Sequence, residues 1–519
     1  MKKAIYLIIA LIGLSAPSCS DSMLDFSPTD SGSGKELLKS ASTAITSVNG
    51  VYRSMWTAGW STTANTHQCF GIAAYNLALD CMADDLIMQS QGNGWFWGDH
   101  CYNVKSNYTS SAFRSYDVWY ANYKWIANVN YIIDAEPEMA GTEADVAYVA
   151  GQAYAIRALC YLNLATWFSR APYNSLTGAS RWNEPCVPVY TTGTSIDTGG
   201  QPRESLRTVY GRIDQDIDRA IELLEKARET TLAENNKSHI NLYVALGIKS
   251  RACLAEGDWD GAFKAAKRVI DEGGYAVGTK SDLTSGMNSL DKQNVMWGAG
   301  IQVADQAGGY AGFFTHMDNK EGAYAKSAPK LISKQLYNRI SATDIRRDWW
   351  DPSDKESPYV SKKFSFANVA SFLGDYIYMR VEEMYFTAAE AALRLDDLKS
   401  ARELMNTVMA ERDPGYSANN RSGTLLGATT ATWTGSFLEN ILTHRRIELW
   451  GGYGRLFDVR RLGQGIDRRT DDGFSEECIS MMNRRNVNIT KADTYDWVLT
   501  IPKAELDANP NINEEDQNP

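Results

Sequence analysis

Along most of this chain of 519 residues, apolar side chains recur at steps of three and four, the spacing that gathers them on one face of an α-helix. Residues 36–56 and 116–135 keep this spacing, with aromatic residues among the apolar positions. Residues 143–170 continue it through Tyr154, Ala158, Tyr161, Leu162 and Ala165. The pattern predicts a mainly α protein.

Two stretches predict helical hairpins. In 239–271, Leu242, Ala245, Leu246 and Ala252 form one stripe, Gly257-Asp258 breaks it, and Trp259, Ala262, Phe263, Ala266 and Ile270 resume it. Alanines at a crossing let two helices approach closely, and a glycine after the first helix supplies a left-handed cap. Residues 379–411 repeat the plan: Ala388, Ala389 and Ala392, then Asp396-Asp397, then Ala401, Leu404 and Val408. Both look like tetratricopeptide hairpins. Residues 148–167 are expected to pair with 206–227 around a long insertion. Gly-, Pro- and aromatic-rich stretches at 57–115, 171–205, 272–375 and 412–435 separate these units. A plain solenoid has no use for them. They predict loops and short strands on one side of a helical scaffold, where binding residues concentrate.

The N-terminus changes the picture from fold to address. Lys2 and Lys3 precede an apolar run from Ala4 to Leu14, and Leu14-Ser15-Ala16-Pro17-Ser18 leads to Cys19. This is the order of a secretory signal. The run is shorter than the roughly 20 residues needed to span a bilayer. Small residues directly before a cysteine resemble a bacterial lipobox, so Cys19 is the expected acylated first residue of the mature chain. Several acyl chains on one residue anchor firmly, since each buried CH2 adds roughly 0.8 kcal/mol. Residues 19–34, Gly/Ser-rich and polar, read as a flexible tether.

The formal charge is −11 (52 basic against 63 acidic residues), which repels phosphate backbones and argues against a nucleic-acid partner. Beyond Cys19 the cysteines are scattered at 69, 81, 101, 160, 186, 253 and 478 with no CxxC spacing, so neither a disulfide framework nor a zinc site is indicated. Cys69, Cys81 and Cys101 are near enough in sequence for one pair to bridge. The five histidines show no HExxH or HxH spacing, and GxSxG, P-loop and dinucleotide-binding motifs are missing. No metal, cofactor or catalytic residue is expected.

The segments AYAIRALCYLNLATWF, SLRTVYGRIDQDIDRAIELLEKA, MRVEEMYFTAAEA and ILTHRRIELWGGYGRLFDVRRLG, together with the hairpin at 239–271, resemble the SusD/RagB family of outer-membrane nutrient-binding lipoproteins. The last two segments are the most specific. They carry the Arg…Glu…AEA helix and the R-x-E-L…G-x-R…D-x-R-R stretch that family members share. Gly451-Gly452-Tyr453-Gly454 departs locally from the acidic residue and glycine more usual there. The resemblance implies four tetratricopeptide-like helix pairs cradling an irregular, loop-rich ligand-binding half. It divides the chain into a signal peptide (1–18), a tether (19–34), an N-terminal SusD-like region (35–230), a central hairpin with binding loops (231–330) and a C-terminal SusD/RagB region (331–519), all one integrated fold. It also implies a SusC-like TonB-dependent outer-membrane barrel as partner, with the lipoprotein as its lid, and a glycan as cargo, although some members take peptides. The chain would face the cell exterior.

Sugars present flat C–H faces that stack on aromatic rings. GNGWFWGDH (92–100) places Trp95 and Trp97 in a Gly-rich loop beside Asn93, Asp99 and His100. An extended segment would point both indoles to one side. The resemblance adds weight here, because an aromatic of this N-terminal loop region commonly contacts glycan in the family. A second candidate, 307–326, surrounds Tyr310, Phe313 and Phe314 with glycines. Trp297, in a stretch that reads as a strand, and Trp349-Trp350 are expected to be structural. Asp80, Asp84 and Asp85 are expected to cap or form a turn, because sequence spacing cannot establish the two-carboxylate geometry of a glycosidase. Arg445, Arg446, Arg455, Arg460 and Arg461 with Glu448 and Asp458, and Arg380 with Glu382 and Glu383, predict a structural ion network. The reading favours a glycan-binding, non-enzymatic lipoprotein, with a peptide-binding member and then a glycoside hydrolase as alternatives.

Overall fold

The computed structural model describes residues 34–519 apart from 60–65, 104–112, 196, 234–236, 303–310 and 493. Cys19 and Tyr310 therefore lie outside the described residues. Helices of eight residues or more take the labels α1 (Ala41–Ser54), α2 (Ile72–Met82), α3 (Phe113–Ala135), α4 (Glu143–Phe168), α5 (Leu206–Lys226), α6 (Leu242–Glu256), α7 (Trp259–Glu272), α8 (Val381–Arg394), α9 (Leu398–Ala410), α10 (Phe437–Leu449), α11 (Arg455–Leu462) and α12 (Glu476–Arg484).

The scaffold is a ladder in chain order. α1 packs on α3, α3 on α4, α4 on α5, α5 on α6, α6 on α7, α7 on α8, and α8 on both α9 and α10. The expected hairpins are α6/α7 and α8/α9, and α4 pairs with α5 across the insertion. Side chains start the helices cleanly, as N-cap preferences require. Thr142 Oγ1 accepts from Asp145 N, Ser205 Oγ from Thr208 N, Asn241 Oδ1 from Tyr243 N and Val244 N, and Asp258 from Gly261 N. Gly257 ends α6 at φ +78°, with Tyr173 so close that a Cβ would meet its ring at 2.5 Å.

Opposite the ladder, the strands are short: β1 (Leu86–Ile87), β2 (Val295–Ala299), β3 (Leu331–Ile332), β4 (Trp350–Asp351), β5 (Val360–Ser361) and β6 (Tyr376–Arg380). They form an antiparallel sheet in the order β1-β3-β5-β4 and a separate antiparallel pair β2-β6. Trp297, Trp349 and Trp350 are buried. α2 was not among the expected helices. Its sequence IAAYNLALDCM is apolar nearly all round, it is buried on almost every side, and it therefore carries no stripe to read. It packs on α11 and β6 and joins the two halves. No helix among the described residues is long and apolar enough to cross a membrane.

A buried ion network locks these elements together. Glu448 on α10 accepts from Arg346 Nη1 at 3.1 Å, Arg380 Nη1 at 2.8 Å and Arg412 Nη2 at 3.0 Å. Glu390 on α8 takes both Nη atoms of Arg461 at 2.9 and 2.7 Å, and Asp458 bridges Arg445 and Arg461. The structural role expected for the arginines holds, but with a change of partners. Among the described residues Arg460 pairs with no carboxylate; its guanidinium donates to the carbonyls of Thr166 and Ser169. Asp84 and Asp85 correct the expectation of capping or turn formation. Arg446 Nη2 reaches them at 2.9 and 2.5 Å, and Arg455 Nε at 3.1 and 3.0 Å. Burial opposes ionisation of Asp84, but the two arginines outweigh it and hold its carboxyl down to about 2. Asp80 does act at a helix start, accepting from Arg455 N at the head of α11 at 2.7 Å.

Candidate ligand platform

The platform is built on the loop after β1. Gly92 and Gly94 take φ +51° and +87°, and a Cβ at Gly92 would meet Ser327 O at 2.6 Å, so only glycine lets the loop lie against the helix Ala323–Ser327. The chain then reverses at Phe96, a non-glycine residue at φ +61°. Phe96 tolerates this strained geometry because it is overdetermined. Its N–H donates to Gln68 Oε1 at 2.8 Å, its ring meets Phe70 and His316, and Arg114 lies 5.3 Å from its centroid.

That reversal overturns the expectation that Trp95 and Trp97 share a side. Trp97 begins the one-turn helix Trp97–His100 and is only 3% exposed, tilted against His100. Trp95 stays half-buried at the surface, next to exposed Gln89, Ser90, Gln91 and Asn93. Phe313 is corrected in the same way. It lies in the short helix Phe313–Met317, 7% exposed, with its ring against Phe314, Phe364 and Tyr376. Its ring belongs to an aromatic core rather than to an exposed surface.

Trp95 is held from beneath. Its ring stacks on His67 with centroids 5.0 Å apart and planes 18° from parallel, and it meets the edge of Tyr324 at 6.1 Å. Tyr324 and His67 share a hydrogen bond at 2.5 Å between the hydroxyl and Nδ1. His316 Nε2 donates to His67 O at 2.6 Å. Burial, then the Lys330 charge, drive the His316 pKa well below its ordinary value, so the ring is neutral. From there ring contacts run unbroken through the fold: His316 to Tyr324 and Phe70, Phe70 to Tyr376, Tyr376 to Phe314, Phe314 to Phe366, and Phe366 to Phe372. The array ends at a second surface point. Phe372 is half-buried at φ +53° in a loop closed by the Asn368–Leu373 bridge, with Val369 beside it 45% exposed. Phe372 was not among the residues the sequence pointed to; a Phe-Leu pair between Ser371 and Gly374-Asp375 was the available signal.

The pocket behind this array, lined by Phe313, Lys363, Phe364, Tyr376, Arg380 and Trp450, measures about 50 Å³. That holds a water or two and no sugar ring. A larger open recess of about 280 Å³ lies elsewhere, between Tyr123, Tyr190, Ser195 and Glu505. Asp99, four residues after Trp95, pairs with Arg114 at 2.9 Å, and Asp318 accepts from the backbone of Lys320, Glu321 and Phe366.

Comparisons with known proteins agree with this architecture. Residues 325–519 match the SusD family, and residues 43–254 match the SusD-like family described as starch-binding associating with outer membrane. The chain belongs to the SusD/RagB family. Its fold is that of a SusD-like carbohydrate binding protein from Bacteroides vulgatus (24% identity, TM-score 0.73, covering 92% of this chain and 98% of the other). A SusD superfamily protein from Bacteroides thetaiotaomicron is equally similar (22%, TM-score 0.73, covering 92% and 100%). Surface glycan-binding protein A from the same organism, in complex with laminarihexaose, shares the fold at 15% identity (TM-score 0.63, covering 92% and 99%). Comparison with curated proteins returns no match.

Proposed function

We propose that this chain is an outer-membrane lipoprotein, anchored through Cys19 and facing the cell exterior, that binds a glycan at Trp95 and passes it to a TonB-dependent barrel. The supporting observation is the half-buried Trp95 indole, clamped by His67 and Tyr324, in a loop that also carries the exposed amides Gln89, Gln91 and Asn93. A rigid ring with adjacent hydrogen-bonding groups suits the alternating C–H and O–H faces of a sugar, and its rigidity limits the entropy lost on binding. Phe372, at the far end of the ring array, is a second contact in this reading. Tyr310, outside the described residues, is proposed as a third. Trp97 and Phe313 support the platform from within. The laminarihexaose complex of surface glycan-binding protein A favours an oligosaccharide as cargo. No bond-breaking step is assigned; Asp99 is committed to an ion pair with Arg114 and Asp318 to backbone amides.

The test is affinity electrophoresis of the wild-type chain against a panel of polysaccharides, with a peptide library as the opposing arm. Retardation by at least one glycan, and co-purification with a barrel from native outer membranes, is expected. Peptide capture with no glycan retardation would assign the scaffold to the peptide class instead.

A further inference from the structure

Cys101 and Cys478 are far apart in sequence and meet in the fold. Cys101 caps the helix Trp97–His100, and Cys478 lies in the first turn of α12. Cys478 Sγ sits 3.7 Å from the carbonyl oxygen of His100, the residue bonded to Cys101, which brings the two cysteines side by side. The two segments are pinned there by the His100 and Phe474 rings, stacked 5.6 Å apart and 11° from parallel. Both cysteines are buried.

The surroundings favour a thiolate at one of them. Arg468 lies buried beside the pair, with Nη1 3.8 Å from Cys478 Sγ. Its guanidinium otherwise donates to the carbonyls of Cys81, Ala83 and His100, and it makes no ion pair with a carboxylate among the described residues. The neighbouring Cys101 thiol, and then His100 and Arg468, outweigh burial and hold the Cys478 thiol well below its usual range. Cys81, Cys160, Cys186 and Cys253, by contrast, are pushed up by burial. Of the bridging candidates read from the sequence, Cys69, Cys81 and Cys101, only Cys101 lies beside Cys478.

We propose that Cys101 and Cys478 are joined by an intramolecular disulfide as the chain folds in the cell envelope. The Cys478 thiolate attacks a disulfide donor, an oxidised dithiol oxidoreductase, and displaces one donor thiolate to give a mixed disulfide. The Cys101 thiolate then attacks the Cys478 sulfur and releases the second donor thiolate. The protein loses two protons and two electrons, and the donor gains them as two thiols. The bond ties the turn behind Trp95 to α12 and closes a loop that spans most of the chain, the kind of closure that restricts the unfolded state most.

The experiment is peptide mapping of the full chain isolated from the bacterial envelope and denatured in iodoacetamide without reductant. A cross-linked peptide pair carrying Cys101 and Cys478 is expected, with Cys160 and Cys253 alkylated. Cys478→Ser should leave Cys101 alkylated, whereas Cys160→Ser should leave the pair linked. If Cys478→Ser fails to accumulate, purified wild-type chain equilibrated with oxidised glutathione gives the same readout. Alkylation of both Cys101 and Cys478 in the envelope and glutathione samples, or their linkage to other cysteines, overturns the assignment.

Discussion

Arg455 donates from Nε to Asp84 Oδ1 at 3.1 Å, while its backbone N–H donates to Asp80 Oδ1 at 2.7 Å, so one residue fastens α11 to the end of α2 twice. Removing the side chain leaves Arg446 to neutralise two buried carboxylates alone. Breaking a buried ion pair from one side costs on the order of 3 kcal/mol. Arg455→Ala should therefore lower the melting temperature by several degrees, measured by calorimetry. Glycan affinity of the folded protein should stay the same, because Trp95 rests on His67 and Tyr324 rather than on these carboxylates.

Trp97 and Phe313 should behave as core residues. Truncating a buried Trp or Phe to Ala costs about 3–5 kcal/mol through lost transfer energy and the cavity left behind. Trp97→Ala and Phe313→Ala are expected to shift denaturant midpoints strongly, whereas Trp95→Ala, at a half-exposed site, shifts them little. Equal midpoints for Trp95→Ala and Trp97→Ala would contradict the opposite placement of the two indoles.

Asp80 gives stability a pH dependence of defined sign. Burial, opposed by hydrogen bonds from the Arg455 and Gly454 backbone, raises its carboxyl to about 7. A folded-state value above the unfolded one means the native state holds a proton that the unfolded state releases. Its contribution is complete below about pH 4 and is lost as pH rises to about 7, at up to roughly 1.4 kcal/mol per pH unit. Asp84, with its depressed value, acts in the opposite direction and only below about pH 4. Asp80→Asn keeps the acceptor and removes the titration. The stability of wild type relative to Asp80→Asn should fall between pH 4.5 and 7 and then level off, as followed by urea midpoints at each pH.

The helix ladder was readable because α5 and α7 carry strong apolar stripes and their caps are written in Ser205 and Asp258. α2 was not, since a helix buried on all sides shows no contrast between faces. The ion network was foreseen in kind but not in pairing. Glu448 takes Arg346 and Arg412, distant in sequence, while its neighbour Arg446 turns to Asp84 and Asp85. Long-range pairings of that sort leave no local trace. At the proposed platform, aromatic and glycine content pointed to the loop that carries Trp95 at the surface. The left-handed turn at Phe96 that separates Trp95 from Trp97 depends on Gln68, Phe70 and Arg114, and no rule of alternation contains them.

The most direct measurement is isothermal titration calorimetry of a retarded oligosaccharide against wild type, Trp95→Ala and Trp97→Phe. Loss of an anchoring ring costs on the order of 1–2 kcal/mol, so Trp95→Ala should bind roughly 5- to 30-fold more weakly while Trp97→Phe binds as wild type does. Unchanged affinity in Trp95→Ala, in a protein whose melting temperature is also unchanged, would show that cargo rests elsewhere on the molecule.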